Sequence, residues 1–260
     1  MIVDYHLHPR DSEERIAHRV EAIEPFVETA AARGVDEIGF TEHVYYFRQT
    51  RELWSRRYES ERCVYDLDDY VDALVEAKRR DLPVKLGLEV DHVGERQDEL
   101  AAILRPYPWD YLLGSVHNVD GLPIDSSPDG GAWTLPVDEV WGLYFAALVE
   151  LAASGHVDVL AHPDLPKIFG MRPAGGPQYP VLEGVALEIS TNGRYKPVGE
   201  LYPDFEFLQA AGLPITLASD AHVPENVGRD FAHALELARA AGYETVTVFE
   251  QRRARQEPLG

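Results

Sequence analysis

The sequence feature that most constrains the fold is a repeated order of helix, glycine and short apolar strand. Apolar residues recur at helical spacing over residues 16–30, Gly34 supplies a helix stop, and residues 35–41 have the pattern of a buried strand. The same order returns at three later glycines, which are Gly155, Gly212 and Gly242. Helices that alternate with short buried strands are typical of parallel sheets. The sequence therefore predicts an α/β protein.

Seven strands are predicted before a last candidate near Thr245. They cover residues 2–5, 35–41, 84–90, 111–115, 157–161, 185–190 and 215–218. This number of strands favours a (β/α)7 barrel that resembles a TIM barrel, and a doubly wound open sheet is the alternative. No linker-like or low-complexity segment interrupts the chain, so we expect a single domain over residues 1–260.

Charge and hydropathy limit the partners of the chain. A net charge of −21 opposes binding to the phosphate backbone of nucleic acids. The longest apolar run, residues 141–149, is far shorter than the roughly 20 residues that span a bilayer. Polar residues occupy the place of a signal peptide near the N-terminus. We expect a cytoplasmic protein that binds neither nucleic acid nor membrane, and the sequence leaves its oligomeric state open.

Potential metal ligands accompany six of the seven predicted strands, near the carboxyl end of each. They are His6, His8, His43, Glu89, His117, His162, Asp220 and His222. In parallel α/β folds this end of the sheet is where functional sites are built. Each motif alone has a structural alternative. Thr41, for instance, could simply cap a helix.

Glu89 is the least easily explained of these residues, because a carboxylate within an apolar strand is costly without a cation or a hydrogen bond. Repetition at six strand ends favours a site for several metals, with Glu89 as the bridging ligand. Imidazole and carboxylate ligands without thiolates suit zinc, manganese or iron.

The ligands lie in motifs that resemble those of the PHP (polymerase and histidinol phosphatase) family. The motifs are Asp4-Tyr5-His6-Leu7-His8, Phe40-Thr41-Glu42-His43, Gly87-Leu88-Glu89, Ser115-Val116-His117, Ala161-His162-Pro163 and Ser219-Asp220-Ala221-His222. Residues 187–203 further resemble the histidinol-phosphate phosphatase branch. The resemblance implies a distorted seven-stranded barrel with two to three divalent transition metals.

The resemblance also implies how the ligands are shared among the metals. His6, His8, Glu89 and Asp220 would hold one metal, Glu89, His117 and His162 a second, and His43 with His222 a third. The third metal needs one more ligand, and the loop over residues 9–14 departs from the family pattern here. Asp11 is the predicted ligand and His18 the reserve. The alternatives are a helix cap for Asp11 and a surface position for His18.

The activity that the resemblance implies is hydrolysis of L-histidinol phosphate to L-histidinol and phosphate. A hydroxide that bridges the metals would attack phosphorus in line, with Glu89, Asp220 and His222 in the catalytic centre. Arg194 follows the sixth strand and is predicted to clamp the phosphate. Lys196 and Lys167 are weaker candidates, and for each a solvated surface position is the favoured interpretation. No residue stands out as the general acid.

A group of aromatic residues follows the second strand, and two interpretations of it remain open. Tyr45, Tyr46, Phe47 and Trp54 could wall a pocket for the imidazole ring of the substrate or form a small core beneath a loop.

Three other functions compete with this interpretation. A PHP phosphoesterase could act on another small monoester or on a nucleotide or nucleic-acid diester, although a diester would call for a basic groove. An amidohydrolase barrel also opens with His-x-His, but Glu89 stands where its bridging lysine is expected. A degenerate metal-binding regulatory domain is the non-enzymatic alternative, and the complete motif series disfavours it.

Overall fold

The computed structural model describes residues 1–12 and 15–260, and for Asp11 and Ser12 it describes the backbone only. The strands are β1 (Val3–Leu7), β2 (Arg10–Ser12), β3 (Arg15–Ile16), β4 (Glu37–Phe40), β5 (Val84–Leu86), β6 (Glu89–Asp91), β7 (Leu113–Ser115), β8 (Asn118–Val119), β9 (Leu122–Pro123), β10 (Val159–Leu160), β11 (Ala186–Ser190), β12 (Ile215–Ala218), β13 (Thr245–Glu250) and β14 (Arg253–Pro258). The α-helices are α1 (Val20–Ala32), α2 (Arg57–Ser60), α3 (Leu67–Arg79), α4 (Gln97–Leu104), α5 (Val137–Ala153), α6 (Phe205–Ala211) and α7 (Phe231–Ala240). Across the ranges described, no helix combines the length and the apolar character needed to cross a membrane.

Parallel strands form two sheets. One has the order β1-β4-β5 and the other the order β12-β11-β10-β7-β6. Isolated parallel bridges connect their edges at Leu7–Ala221 and at His43–Glu89. The predicted α/β class with parallel strands is confirmed. A barrel is not confirmed, because the strands of the described chain do not pair into one closed sheet.

The break between the sheets falls within the third predicted strand. Residues 84–90 form two strands, β5 and β6, which are separated at Gly87 and Leu88 and join different sheets. Gly87 lies so close to its surroundings that a Cβ atom there would stand 2.8 Å from Cζ of Tyr111 and 2.9 Å from the carbonyl oxygen of Phe40. The chain therefore needs glycine where it passes from one sheet to the other.

The last strand candidate, near Thr245, is also placed differently from the parallel pattern. β13 pairs with β14 in an antiparallel hairpin. Phe249 of β13 nevertheless contributes to the core, since its ring stacks on Tyr111 at 5.6 Å, and Tyr111 stacks on Tyr5 at 5.0 Å. The Tyr111 hydroxyl donates to the carbonyl oxygen of Tyr5 at 2.7 Å. This column of three rings packs β1, β13 and the segment before β7 against one another.

A buried carboxylate fastens β1 to the segment that follows β12. Asp4 is fully buried and accepts hydrogen bonds from the backbone N–H and the hydroxyl of Ser219, at 2.8 and 2.5 Å, and from the N–H of Gly228 at 2.8 Å. The strands that meet here are separated by more than 200 residues of sequence. The first and last parallel strands are thereby held side by side.

Candidate metal centre

The predicted ligands converge at the carboxyl ends of the parallel strands. His6 lies within β1, whereas the other histidines and Asp220 follow the ends of β1, β4, β7, β10 and β12. Glu89 begins β6 rather than ending a strand, so its predicted position at a strand end is corrected. Imidazole ring centroids in the group approach to 4.1 Å for His8 and His222 and to 5.3 Å for His117 and His162.

Two of these residues have an uncommon backbone conformation. His162 and Asp220 have φ angles of 29° and 51°, in a region that L-residues seldom occupy. Such conformations persist where the surrounding structure fixes them, and they gather at functional sites.

Glu89 lies at the middle of the histidines, and its side chain is fully buried. Its Oε1 is 3.4 Å from Nε2 of both His117 and His162. Its Oε2 is 3.5 Å from Nε2 of His6 and 2.5 Å from Nδ1 of His43. One carboxylate therefore faces two separate sets of imidazoles, which is the arrangement expected of a bridging ligand.

Three groups of described residues bring ligand atoms within 4.8 Å of one another. They are His6, His8 and Glu89, then Glu89, His117 and His162, and finally His8, His43 and His222. Asp220 adjoins the first group, with Oδ1 at 3.7 Å from Nε2 of His6 and 3.4 Å from Nε2 of His8. The structure thus brings together all the predicted ligands whose side chains it describes, except His18.

The buried atoms of these groups fit metal ions. Oε1 of Glu89 lacks a hydrogen-bond partner within the described protein, as do Nε2 of His6 and Nε2 of His8. Buried polar atoms without partners are costly. Divalent cations would satisfy them, and the absence of thiolates suits zinc, manganese or iron.

Carboxylates behind the imidazoles fix their orientation. Nδ1 of His6 is 2.8 Å from Glu188, Nδ1 of His8 is 3.0 Å from Glu42, and Nδ1 of His117 is 2.7 Å from Asp91. A hydrogen bond from Nδ1–H to a carboxylate orients the ring so that a metal can bind Nε2 in place of a proton. The three rings thus present Nε2 towards the centre of the group.

Electrostatics favour positive charge around Glu89 and His117, whereas burial and the neighbouring His8 lower the pKa of His222 to about 3. Burial opposes ionisation of Glu89, but His43, His6 and His117 hold the pKa of this carboxyl well below its usual range. Burial also disfavours the charged form of His117, yet Asp91 and Glu89 raise the pKa of its imidazole to about 10. Carboxylates that outweigh burial in this way also stabilise bound cations.

The two candidates for the last ligand of the third metal lie differently. The side chain of Asp11 is outside the described part of the structure. His18 is not a surface residue, since its side chain is 4% exposed, with Nε2 at 3.7 Å from Oε2 of Glu42. Its ring contacts Phe47, Tyr65 and Tyr70 rather than the other histidines.

A cavity of about 390 Å³ opens over the histidines, and the cations predicted to bind phosphate lie at different distances from it. Lys196 lines the cavity. Arg194 does not contribute to the described lining, and its Nε donates to Asp230 at 2.8 Å. Lys167 is fully buried, with Nζ 2.8 Å from Asp164 and 2.5 Å from Asp204. Lys167 is thus neither solvated nor directed at the cavity.

Of the aromatic residues after the second predicted strand, some line the cavity and others pack in the core. Tyr45 and Tyr46 line the cavity, whereas Phe47 is fully buried in the core. Trp54 packs edge-on against Tyr45 at 6.1 Å and is absent from the described lining.

Sequence reasoning did not single out the carboxylates behind the histidines. Glu188 was detectable by the argument used for Glu89, since it lies inside the apolar strand β11. Glu42 and Asp91 carry no such signal. Arg229 was also missed. Its guanidinium donates to Oδ1 of Asn192 at 2.6 Å, and Asn192 in turn donates to Asp220.

Comparison with known proteins gives concordant matches. The model of the PHP domain family matches residues 4–191. A protein of Deinococcus radiodurans named as a probable histidinol-phosphatase is 33% identical, over 95% of this chain and 96% of the relative. A histidinol-phosphatase of Lactococcus lactis is 24% identical, over 95% of this chain and 94% of the relative.

Among solved structures, one similar fold is that of a histidinol phosphate phosphatase from Lactococcus lactis in complex with zinc, L-histidinol and phosphate. It superposes with a TM-score of 0.69 at 21% identity and covers 98% of both chains.

Proposed function

The chain belongs to the PHP family, and from this premise we propose that it is a metal-dependent phosphatase that hydrolyses L-histidinol phosphate to L-histidinol and phosphate. The observation that carries the proposal is the position of Glu89, whose two oxygens face different sets of imidazoles. The identity of the substrate is inferred from relatives named as histidinol-phosphatases, which align over nearly the whole chain.

The centre would hold two to three divalent cations, namely zinc, manganese or iron. His6, His8, Glu89 and Asp220 would bind one, and Glu89, His117 and His162 a second. His43 and His222 would bind the third, with Asp11 as the predicted remaining ligand. His8 also lies within reach of His43 and His222. When bound, such cations act as Lewis acids towards phosphoryl oxygens and lower the pKa of a coordinated water.

The side chains around the centre supply positioning and charge. Glu188, Glu42 and Asp91 hold the imidazoles in the orientation that binds metal. Lys196 lines the cavity and Arg194 lies two residues before it, so either could meet the phosphate once a substrate enters. Arg229 is a third candidate, since Asn192 connects its guanidinium to Asp220.

We further propose that residues 1–260 form one domain whose two sheets are the arcs of a distorted (β/α)7 barrel. Two observations support this proposal. The bridges Leu7–Ala221 and His43–Glu89 lie where the two sheets adjoin, and both are parallel. The hydrogen bonds of Asp4 with Ser219 and Gly228 stabilise the chain next to the Leu7–Ala221 bridge.

A phosphate-release assay tests the function. The metal-loaded protein is given L-histidinol phosphate and a panel of other phosphomonoesters. Cleavage of a single-stranded oligonucleotide is followed separately by gel electrophoresis, because hydrolysis of a diester releases no inorganic phosphate. We expect the highest kcat/KM with L-histidinol phosphate and a far lower kcat/KM with the oligonucleotide. A higher kcat/KM with another monoester would show that this monoester is the substrate. A higher kcat/KM with the oligonucleotide would favour an activity like that of the nucleic-acid members of the family.

A further inference from the structure

Two side chains that line the cavity have oxygen acceptors without donors. Glu59 is 4% exposed, and its Oε2 is buried without a hydrogen-bond partner in the described protein. Oδ1 of Asn118 is likewise buried and without a partner. Both residues line the cavity over the histidines. A buried acceptor left without a donor costs free energy, so these two oxygens call for donors that arrive from outside the protein.

The carboxylate of Glu59 is held in place from its other side. Oε1 accepts from Nη1 of Arg56 at 2.9 Å and from Nδ2 of Asn118 at 3.4 Å. Glu59 belongs to α2, and Asn118 directly follows His117 in the chain. The free acceptors therefore lie beside the metal group that contains His117, on side chains that are already ordered.

Apart from the predicted metal ligands, the charged residues that line the cavity are Glu59, Asp125, Arg56 and Lys196, and Arg56 engages only Oε1 of Glu59. Asp125 also lines the cavity, and no hydrogen bond or ion pair of its carboxylate is found among the described residues. The lining includes the rings of Tyr45 and Tyr58, which lie 6.1 Å apart. Carboxylates with aromatic faces are a favourable environment for an ammonium group, which brings three donors and no acceptor.

We propose that Glu59 and Asn118 form a subsite for the ammonium group of the substrate and thereby select phosphomonoesters that carry an amine. This inference rests on the proposed function, in which the phosphate end of the same molecule lies at the histidines. Glu59 supplies the charge and Asn118 the second acceptor. Selection then arises because a substrate without the amine leaves both oxygens without donors.

Calorimetric titration of the metal-loaded full chain with L-histidinol tests the subsite without any turnover. We expect Glu59→Gln to weaken binding about 10- to 100-fold, since a hydrogen bond to a charged group is lost. Glu59→Asp, which keeps the charge on a shorter side chain, should recover part of the affinity. Glu61→Gln is the matched control, because Glu61 pairs with exposed Arg57 and is absent from the described lining of the cavity.

Titration with 4-methylimidazole separates the amine from the ring. Its affinity should be similar in wild type and Glu59→Gln. Equal weakening of both ligands would assign Glu59 to the ring and overturn the proposal. Unchanged L-histidinol binding in Glu59→Gln would overturn it as well.

Kinetics distinguish failure of the subsite from failure of the function. We expect the ratio of kcat/KM for L-histidinol phosphate to that for p-nitrophenyl phosphate to fall about 10- to 100-fold in Glu59→Gln and to stay constant in Glu61→Gln. Equal losses with both substrates would show that Glu59 acts only by placing Arg56, and the subsite would be wrong while the function stands. Wild-type protein that hydrolyses p-nitrophenyl phosphate but not L-histidinol phosphate would remove the proposed function itself.

Discussion

At the scale of single residues, Glu89 is the side chain on which the centre depends. Its carboxylate is fully buried and is within 3.5 Å of Nε2 of His6, His117 and His162. An amide of the same shape would keep one acceptor but lose the charge that lets one residue serve two cations.

We therefore expect Glu89→Gln to lower kcat/KM on the order of 1,000-fold, corresponding to about 4 kcal/mol, while the far-UV circular dichroism spectrum stays native. The comparison is made on protein reconstituted with metal. A variant that keeps most of its activity would show that the bridging ligand is another residue.

The carboxylates behind the histidines should act through metal affinity. Asp91→Asn removes the charge beside Nδ1 of His117, and we expect the affinity for the most weakly held metal to fall about 10- to 100-fold in competition with a chelator. Asp98→Asn is the control, because Asp98 makes the same kind of contact with His156 at 2.7 Å while its side chain is 94% exposed. Equal effects of the two substitutions would mean that the Asp91 contact does not support a metal ligand.

The predicted phosphate clamp is tested by Arg194→Ala. Loss of a guanidinium that binds the substrate should cost about 2–4 kcal/mol in kcat/KM, and Arg194→Lys should recover only part of it. Metal content should stay at the wild-type value in both variants. If Arg194→Ala is as active as wild type, its pairing with Asp230 is structural, and Lys196 in the cavity is the next candidate.

At the scale of elements, glycines on β4 and between β5 and β6 let the strands approach the ring of Tyr111. A Cβ atom on Gly39 would overlap the Tyr111 hydroxyl. We expect Gly39→Ala to lower the free energy of unfolding by about 1–3 kcal/mol in urea titrations, because the aromatic column cannot move aside.

Gly142→Ala is the matched control for this substitution. Gly142 lies within α5, and a Cβ atom added to it would meet none of the described atoms within 4 Å. Alanine there should raise the free energy of unfolding by about 0.5–1 kcal/mol, because it favours the helix. A Gly39→Ala protein as stable as wild type would show that the column of rings is more adaptable than its packing suggests.

The positions of helices and strands were predictable where the pattern of apolar residues and the glycines mark them. The predicted strands at residues 185–190 and 215–218 correspond to β11 and β12. The interruption at Gly87 was not predictable, because it depends on Tyr111 arriving from a different part of the chain. The pairing of β13 with β14 was missed for a similar reason, since an apolar strand does not reveal the direction of its partner.

The site was predictable where ligands recur at strand ends and unpredictable where contacts cross between strands. His6, His43 and His117 follow from their motifs, whereas the contact between Asp91 and His117 requires β6 and β7 to lie side by side in register. The acceptors of Glu59 and Asn118 are invisible to sequence reasoning, because only the folded chain shows that they lack donors.

At the scale of the whole molecule, metal content measures whether the strand ends assemble as described. We expect two to three equivalents of zinc, manganese or iron per chain after reconstitution, measured by elemental analysis, because the buried ligand atoms otherwise lack partners. Removal by a chelator should abolish activity and lower Tm, since ligands that bind only the folded state stabilise it. Less than one equivalent would contradict the centre.

The junction that Asp4 makes with Ser219 has a consequence for when the centre can form. His6 and His8 lie on one side of this junction, and Asp220 and His222 lie on the other, across a sequence separation of about 215 residues. Contacts between such distant segments form late, because the entropy of closing the intervening loop must be overcome first. During synthesis on the ribosome, His6 and His8 are translated long before Asp220 and His222. The metal group that combines His6 and His8 with Asp220 therefore cannot be complete before residues 219–222 are synthesised, whereas the group of Glu89, His117 and His162 needs no residue from that end of the chain.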